Sequence, residues 1–208
     1  MKIAIVNGGS GNLGSALKAF AHLGADAALC DNAAEIALAD RIVIPGQGHF
    51  GDVMNGLHAR GLVEPIRAAA KAGIPVFGIC IGLQLFFEKS AEAPGLSGLG
   101  LLKGEVQLFS GARYGAAGGL KVPHMGWNAL KLARPHPVFD GLDGTHVYFV
   151  HSYFVNPASN ADVLAWCDYG LTFCAAAGQD NLVGCQFHPE KSQTAGLRIL
   201  KNFLEWKP

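Results

Sequence analysis

The sequence predicts an α/β protein whose central mixed, mostly parallel sheet is flanked by helices. Two observations lead to this fold class. In the first half of the chain, short apolar runs alternate with segments of helical periodicity, as in a doubly wound parallel sheet. In the second half, apolar runs follow one another with short turns, which indicates antiparallel additions. The 208 residues fit a single domain over positions 1–208.

The elements follow from these periodicities. Strands are expected at residues 3–6, 27–30, 41–44 and 76–79, and helices at 13–23, 50–60 and 62–72. Residues 81–88 are expected to begin a further helix. In the second half, strands are expected at 101–109, 127–132, 147–150, 163–166, 172–176 and 182–186. A last helix is expected at 193–205, because Leu197, Leu200, Phe203 and Leu204 share one of its faces.

Composition argues against several classes of protein. The chain has 16 basic and 16 acidic residues, so its charge favours neither nucleic acid nor an anionic membrane as the main partner. Its five cysteines form no CxxC pair, so no structural zinc is expected, and their odd number favours a reducing compartment. With no signal peptide before the first strand and no apolar run of bilayer length, the protein is expected to be soluble and cytoplasmic.

One cysteine occupies a position that favours chemistry. Cys80 follows the apolar strand 76–79 and precedes a helix, with Gly78 and Gly82 on either side. This is the pattern of a nucleophile elbow that carries cysteine in place of serine. The tight turn needs glycines, and the following helix N-terminus favours a thiolate. The other four cysteines lie in apolar strands and are expected to pack there.

A base and an orienting carboxylate come about a hundred residues later. His188 follows the predicted strand 182–186, and Glu190 stands two positions on with a proline between them. Proline restricts the backbone, so the carboxylate can turn back toward the imidazole. Cys80, His188 and Glu190 are therefore predicted to form a catalytic triad.

A glycine-rich loop is expected at the same sheet edge. It follows the strand 41–44 and contains Gly46, Gln47 and Gly48. Its backbone N–H groups, together with that of Ile81, are predicted to form an oxyanion hole. An ordinary strand-to-helix turn is the alternative interpretation.

A second motif points to a different function. Gly9-Ser10-Gly11-Asn12-Leu13-Gly14 matches the dinucleotide-binding pattern after the first strand, and Asp31 follows about twenty residues later. Such a pattern arises easily in a chain with 28 glycines, and no second domain is available to hold a reducible substrate. A non-catalytic dinucleotide-binding module using residues 9–14 remains an alternative.

These motifs resemble those of the triad, or class I, glutamine amidotransferases. The shared residues are Gly78-x-Cys80-x-Gly82-x-Gln84 and His188-Pro189-Glu190. Residues 123–128, 148–153 and 187–192 further resemble the family of glutaminase subunits of imidazole glycerol phosphate synthase. The family usually has Asp-Tyr-Gly where this chain has Asn7-Gly8-Gly9, and valine where it has Gln47. Neither departure touches the triad.

The resemblance implies a class I glutamine amidotransferase fold and a reaction that needs no cofactor or metal. Glutamine would be hydrolysed to glutamate and ammonia. The ammonia would pass to a separate (β/α)8-barrel cyclase subunit in a heterodimer. The pair would make imidazole glycerol phosphate and an aminoimidazole carboxamide ribonucleotide in histidine biosynthesis. Gln84, Glu92, Ser152 and Tyr153 would position glutamine, although Glu92 also fits a solvated surface charge. An amidotransferase that serves a different acceptor synthase is the alternative within this family.

Overall fold

The computed structural model describes residues 1–9, 13–115 and 119–208. The strands are β1 (Lys2–Val6), β2 (Asp26–Cys30), β3 (Arg41–Ile44), β4 (Val76–Ile79), β5 (Lys89–Ser90), β6 (Gly104–Leu108), β7 (His124–Ala129), β8 (Lys131–Leu132), β9 (His146–His151), β10 (Tyr153–Pro157), β11 (Val163–Asp168), β12 (Thr172–Gln179) and β13 (Leu182–Cys185). The helices are α1 (Leu13–His22), α2 (Ala33–Ala37), α3 (Phe50–Ala59), α4 (Val63–Lys71), α5 (Ile81–Gln84) and α6 (Gln193–Glu205). Short 3₁₀ turns lie at Pro137–Phe139, Asn160–Asp162 and Pro189–Lys191.

One mixed sheet organises the chain. Its strands run in the order β2-β1-β3-β4-β13-β12-β10-β6-β5, with β11 beside β12 and β8 beside β11. The neighbours from β2 to β13 are parallel, whereas β12 and β10 continue the sheet antiparallel. β7 and β9 form a separate antiparallel pair. The mixed sheet predicted from the alternation of elements is thus confirmed.

Both faces of the sheet are buried. Ile3 and Ile5 of β1 pack in a cluster that includes residues of α1 and α6. Ala4 and Val6 of the same strand pack in a second cluster that includes residues of α3 and α4. Because side chains alternate along a strand, a sheet covered on both faces needs apolar residues at nearly every position. This explains the continuous apolar runs of the first half.

The parallel order brings three strand ends to one edge. Gly78 of β4 lies in register with Ile44 of β3 on one side and with Gly184 of β13 on the other. The loop after β3, the turn after β4 and the segment after β13 therefore leave the sheet side by side. Ligands of parallel sheets bind at this carboxyl edge.

The helix predicted to start over residues 81–88 is shorter than expected, and the prediction is wrong for residues 85–88. α5 ends at Gln84, and the buried residues Leu85, Phe86 and Phe87 continue as irregular chain. The carbonyl groups of Leu85 and Phe86 accept hydrogen bonds from Leu99 and from Leu101 and Leu102 respectively, in a later loop. Tertiary contacts thus satisfy backbone groups that a longer helix would pair internally.

Three further elements lack a sequence prediction. These are α2, β5 and β10. None of the helices among the described residues is long and apolar enough to cross a membrane.

Candidate active site

Cys80 occupies a strained turn between β4 and α5. Its backbone angles are φ 54° and ψ −106°, a conformation that costs a non-glycine residue about 1–3 kcal/mol. A Cβ on Gly78 would lie 2.7 Å from backbone atoms of Gly82. A Cβ on Gly82 would lie 1.8 Å from the carbonyl oxygen of Ile44. The turn can pack this closely only because both flanking residues are glycines.

His188 and Glu190 form a buried pair at the same edge. The distance between His188 Nδ1 and Glu190 Oε1 is 2.8 Å, and their side chains are 1% and 5% exposed. The backbone N–H of His188 donates to the carbonyl oxygen of Tyr148 at 2.9 Å. Helix α6 lies so close to the turn carrying Glu190 that a Cβ on Gly196 would be 1.8 Å from the Pro189 carbonyl oxygen. The pair is therefore held by β9 and by α6.

The charges around His188 favour its protonated form. Burial lowers the pKa of this imidazole, but Cys80 and Glu190 together raise it to about 10. His188 Nε2 and Glu190 Oε2 are buried without a hydrogen-bond partner among the residues that the structure describes. An imidazolium beside a cysteine stabilises its thiolate, which is the nucleophilic form of the sulfur.

A cavity of about 250 Å³ opens beside the sulfur. This is below the ~300–1,000 Å³ of pockets for drug-sized ligands, so it suits a molecule of amino-acid size. It is lined by Gln47, Gly48, Cys80, Ile81, Gln84, Glu92, Pro123, Val150, His151, Ser152 and Tyr153. Eight of the eleven predicted site residues are therefore brought together at one cavity. Gly46, His188 and Glu190 lie outside this lining.

The predicted oxyanion loop lies against the start of α5. A Cβ on Gly46 would come 1.9 Å from the Ile81 Cγ2 atom, so Gly46 supports the loop and does not line the cavity. Gln47 and Gly48 face the cavity, and Gly48 has a φ of +124° that favours glycine. The loop thus depends on its two glycines for different physical reasons.

The residues predicted to position glutamine already have partners in the protein. Gln84 Nε2 donates to the carbonyl oxygen of Tyr153 at 3.0 Å. The Ser152 carbonyl oxygen accepts a backbone hydrogen bond at 3.0 Å. Glu92 Oε2 accepts from the N–H of Phe50 at 2.7 Å, at the beginning of α3. Glu92 is half-buried and lines the cavity, so it is not a fully solvated surface charge.

Comparison with known proteins gives the family. Residues 4–206 match the family described as Glutamine amidotransferase class-I. A protein of Syntrophotalea carbinolica is 50% identical over 202 residues, covering 97% of this chain and 98% of its own. One of Acinetobacter baylyi is 46% identical, covering 99% of this chain and 98% of its own. Both are named "Imidazole glycerol phosphate synthase subunit HisH".

The chain belongs to the class-I glutamine amidotransferases. Solved structures agree on the fold. A glutamine amidotransferase superimposes with a TM-score of 0.75 at 20% identity, covering 97% of each chain. A chain of PurLQS from Thermotoga maritima superimposes with a TM-score of 0.73 at 18% identity, covering 98% of this chain and 97% of its own. The predicted class I amidotransferase fold is confirmed.

In this amidotransferase, three polar residues beside the cavity were not predicted from the sequence. Gln186 is fully buried, and its Nε2 lies 3.6 Å from Cys80 Sγ. His124 Nδ1 and His151 Nε2 are 3.1 Å apart, and His151 Nδ1 lies 2.8 Å from the Tyr153 carbonyl oxygen. Residues two apart on an extended chain share a face, so Gln186 was a candidate from its spacing to the predicted base. The two histidines lie in the segments 123–128 and 148–153 that carry the family resemblance, but the sequence does not indicate their pairing, because it joins different strands.

The carboxylate that the dinucleotide-binding alternative requires, that of Asp31, already has partners within the protein. Asp31 Oδ1 accepts from Asn7 Nδ2 at 2.7 Å and lies 3.6 Å from Arg60 Nε. The Gly9 N–H in turn donates to Asn7 Oδ1 at 2.9 Å. Asp31 is thus engaged in joining β1, β2 and α3. Ser10, Gly11 and Asn12 of the motif lie outside the described residues.

Proposed function

We propose that this protein hydrolyses glutamine to glutamate and ammonia as the glutaminase subunit of imidazole glycerol phosphate synthase, in histidine biosynthesis. The observation that carries the proposal is the site itself: Cys80 on a strained elbow, beside a buried His188–Glu190 pair and a cavity of amino-acid size. The names of full-length relatives at 46–50% identity support the pathway.

The reaction would proceed by covalent catalysis. Cys80 attacks the side-chain amide carbon of glutamine as a thiolate, and His188 holds the proton taken from the thiol. His188 then delivers that proton to the leaving nitrogen, so ammonia departs and a γ-glutamyl thioester remains. Next, His188 activates a water molecule that releases glutamate. Glu190 keeps the imidazole in the correct tautomer and stabilises its charged form.

Two groups of residues would surround the reacting amide. The backbone N–H of Ile81 and those of the loop Gly46–Gln47–Gly48 are proposed to stabilise the oxyanion, an interaction worth about 10²–10³ in rate for a single donor. Glu92 is proposed to pair with the amino group of glutamine. Gln84 and the 152–153 backbone would orient the rest of the substrate.

The ammonia is proposed to pass to a (β/α)8-barrel cyclase subunit in a heterodimer located in the cytoplasm. An exposed apolar surface beside the cavity supports a protein partner. Met125 and Trp127 of β7 are 63% and 46% exposed. They pair with β9, whose end supplies Val150 and His151 to the cavity lining. Large exposed apolar side chains in one patch mark protein interaction sites. No cofactor is needed for this chemistry.

Replacing the nucleophile tests the proposal. Cys80→Ala should lower glutamine hydrolysis by about 10⁴- to 10⁶-fold, because nucleophile and base act as a unit. When mixed with the cyclase partner and its nucleotide substrate, the variant should still form product from ammonium salts. Cys30→Ala is the matched control, since Cys30 is buried at the end of β2, and it should retain hydrolysis. Substantial hydrolysis by folded Cys80→Ala protein would refute the proposal.

A further inference from the structure

Gln186 is a buried polar residue that the reaction sequence above does not use. It follows β13 and precedes the predicted base by two positions, and it is 0% exposed. Its backbone N–H donates to the carbonyl oxygen of Ala175 at 2.8 Å, which holds the residue against β12. A buried amide is costly unless its polar atoms have partners. Both side-chain polar atoms of Gln186 have one, and one partner is the Cys80 sulfur.

The hydrogen-bond network determines which end of the amide faces the sulfur. The Tyr153 carbonyl can only accept, so Gln84 must turn its Nε2 toward that oxygen. The second N–H of the same nitrogen then points at Gln186, where only Oε1 can accept it, at 3.2 Å. The opposite end of the Gln186 amide is consequently Nε2. This nitrogen lies 3.6 Å from Cys80 Sγ, within the range of a hydrogen bond to sulfur.

A carbonyl oxygen near the sulfur makes this donor important. The Val150 carbonyl oxygen lies 4.0 Å from Cys80 Sγ. A thiol can donate to a carbonyl, but a thiolate cannot, and the oxygen's partial negative charge disfavours the ionised form. An N–H donor has the opposite effect, because a hydrogen bond to the charged form stabilises it.

We propose that the side-chain amide of Gln186 is a donor to the Cys80 thiolate, acting beside His188, and that it ties the nucleophile to the glutamine-binding residue Gln84. The proposal deepens the proposed function and rests on it for the role of Gln84, although the effect on the sulfur is independent of any substrate. The chain of contacts runs from the sulfur through Gln186 and Gln84 to the Tyr153 carbonyl. A movement of Gln84 on substrate binding would therefore change the hydrogen bond that Gln186 donates to the sulfur.

The test is the pH dependence of Cys80 alkylation by iodoacetamide in the full-length protein, followed by mass spectrometry of the Cys80 peptide. Gln186→Met keeps the length and apolar stem of the side chain but removes the donor. Its alkylation midpoint should move up by about one pH unit, since a hydrogen bond to a charged group is worth about that much ionisation free energy. Below the midpoint, the alkylation rate should be about tenfold lower. Gln186→Leu should shift the midpoint in the same direction.

A packing control separates this effect from loosening of the fold. Val183 is buried in β13, three residues from Gln186, so Val183→Ala should lower stability and leave the midpoint in place. An unchanged midpoint in folded Gln186→Met protein would overturn the proposal, as would an equal shift in Val183→Ala.

The same measurement in a His188→Asn background provides a second test. The shift caused by Gln186→Met should persist there, and its disappearance would show that Gln186 acts only through His188. Because alkylation needs neither glutamine nor a partner protein, these results are distinguishable from failure of the proposed glutaminase function.

Discussion

The site contains two buried pairs that include histidine, His188–Glu190 and His124–His151, and the histidine pKa values are shifted in opposite directions in the two pairs. Neighbouring Cys80 and Glu190 raise the pKa of His188 to about 10, although burial opposes the shift. In the other pair, burial lowers the pKa of His124 to about 4 and that of His151 to about 3. Burial is thus the main cause that keeps His124 and His151 neutral, and at His188 the charges of its partners overcome it.

The neutral pair has a single consistent arrangement of protons. The Tyr153 carbonyl accepts, so His151 donates through Nδ1 and leaves its Nε2 free to accept from His124 Nδ1. The His124 ring stacks on Tyr169 with a centroid distance of 3.9 Å and on Phe149 at 4.9 Å. The neutral pair is thus a rigid support for a carbonyl that also holds Gln84, whereas the charged pair is the one proposed to move a proton.

The largest expected difference between the two pairs is in turnover. His188→Asn should lower kcat by about 10⁴- to 10⁶-fold, because it removes the proposed proton carrier. His151→Asn should lower kcat/KM by only about tenfold, mostly through KM, because one hydrogen bond that supports Tyr153 is lost. Steady-state glutaminase assays of both folded variants, with the cyclase partner present, measure the contrast. Equal losses in kcat would mean that the two pairs do not have separate roles.

The next prediction tests the role of the negative charge on Glu190, the partner of His188. Glu190→Gln keeps the hydrogen-bond geometry but removes the carboxylate, and it should lower kcat by about 10²- to 10⁴-fold. Because Glu190 raises the pKa of His188, the alkaline limb of the pH–rate profile should also move to lower pH. The exposed Glu64 provides the control variant Glu64→Gln, which should match the parent protein. An alkaline limb that stays in place would contradict the assigned role of the carboxylate.

The smallest expected effect is on stability in acid. The pKa values of His124 and His151 are depressed in the folded state, so below about pH 6.5 the unfolded chain binds protons that the folded chain does not. The free energy of unfolding should fall by about 1.4 kcal/mol per pH unit for each such histidine, down to its folded pKa. His188 adds nothing to this slope, because its stabilising effect is fully present below about pH 6.5 and is lost only as the pH rises toward about 10.

Urea unfolding at pH 7 and pH 5 measures this slope. His124→Phe keeps a ring to stack on Tyr169 and removes one titrating group, so its stability should depend less on pH than that of the parent protein. Part of the slope should remain, because burial also lowers the pKa of His136 to about 4. The same pH dependence in variant and parent would show that His124 does not stay neutral on folding.

Local rules were sufficient for much of the molecule. The strands Arg41–Ile44 and Val76–Ile79 and the helix Gln193–Glu205 occupy the predicted residues. Each strand is a short continuous apolar run, and the helix has an apolar face at helical spacing. The elbow was also predictable, since the steric demand for glycine on both sides of Cys80 acts over a few residues. His188 and Glu190 were recognisable for the same reason: the two side chains are two positions apart.

Contacts between residues that are far apart in the sequence could be found only from the tertiary structure. β10 was missed because Tyr153–Pro157 forms a strand through its pairing with β6 and β12. The helix from residue 81 ends at Gln84, and residues of a later loop bond the carbonyl groups of Leu85 and Phe86, which follow it. Gln186 faces Gln84 across 102 positions, and His124 meets His151 across 27. The sequence by itself thus determined most of the elements and the placement of the predicted nucleophile and base. Which amide faces the sulfur, and which histidines stay neutral, depends on burial and on partners that only the folded chain brings together.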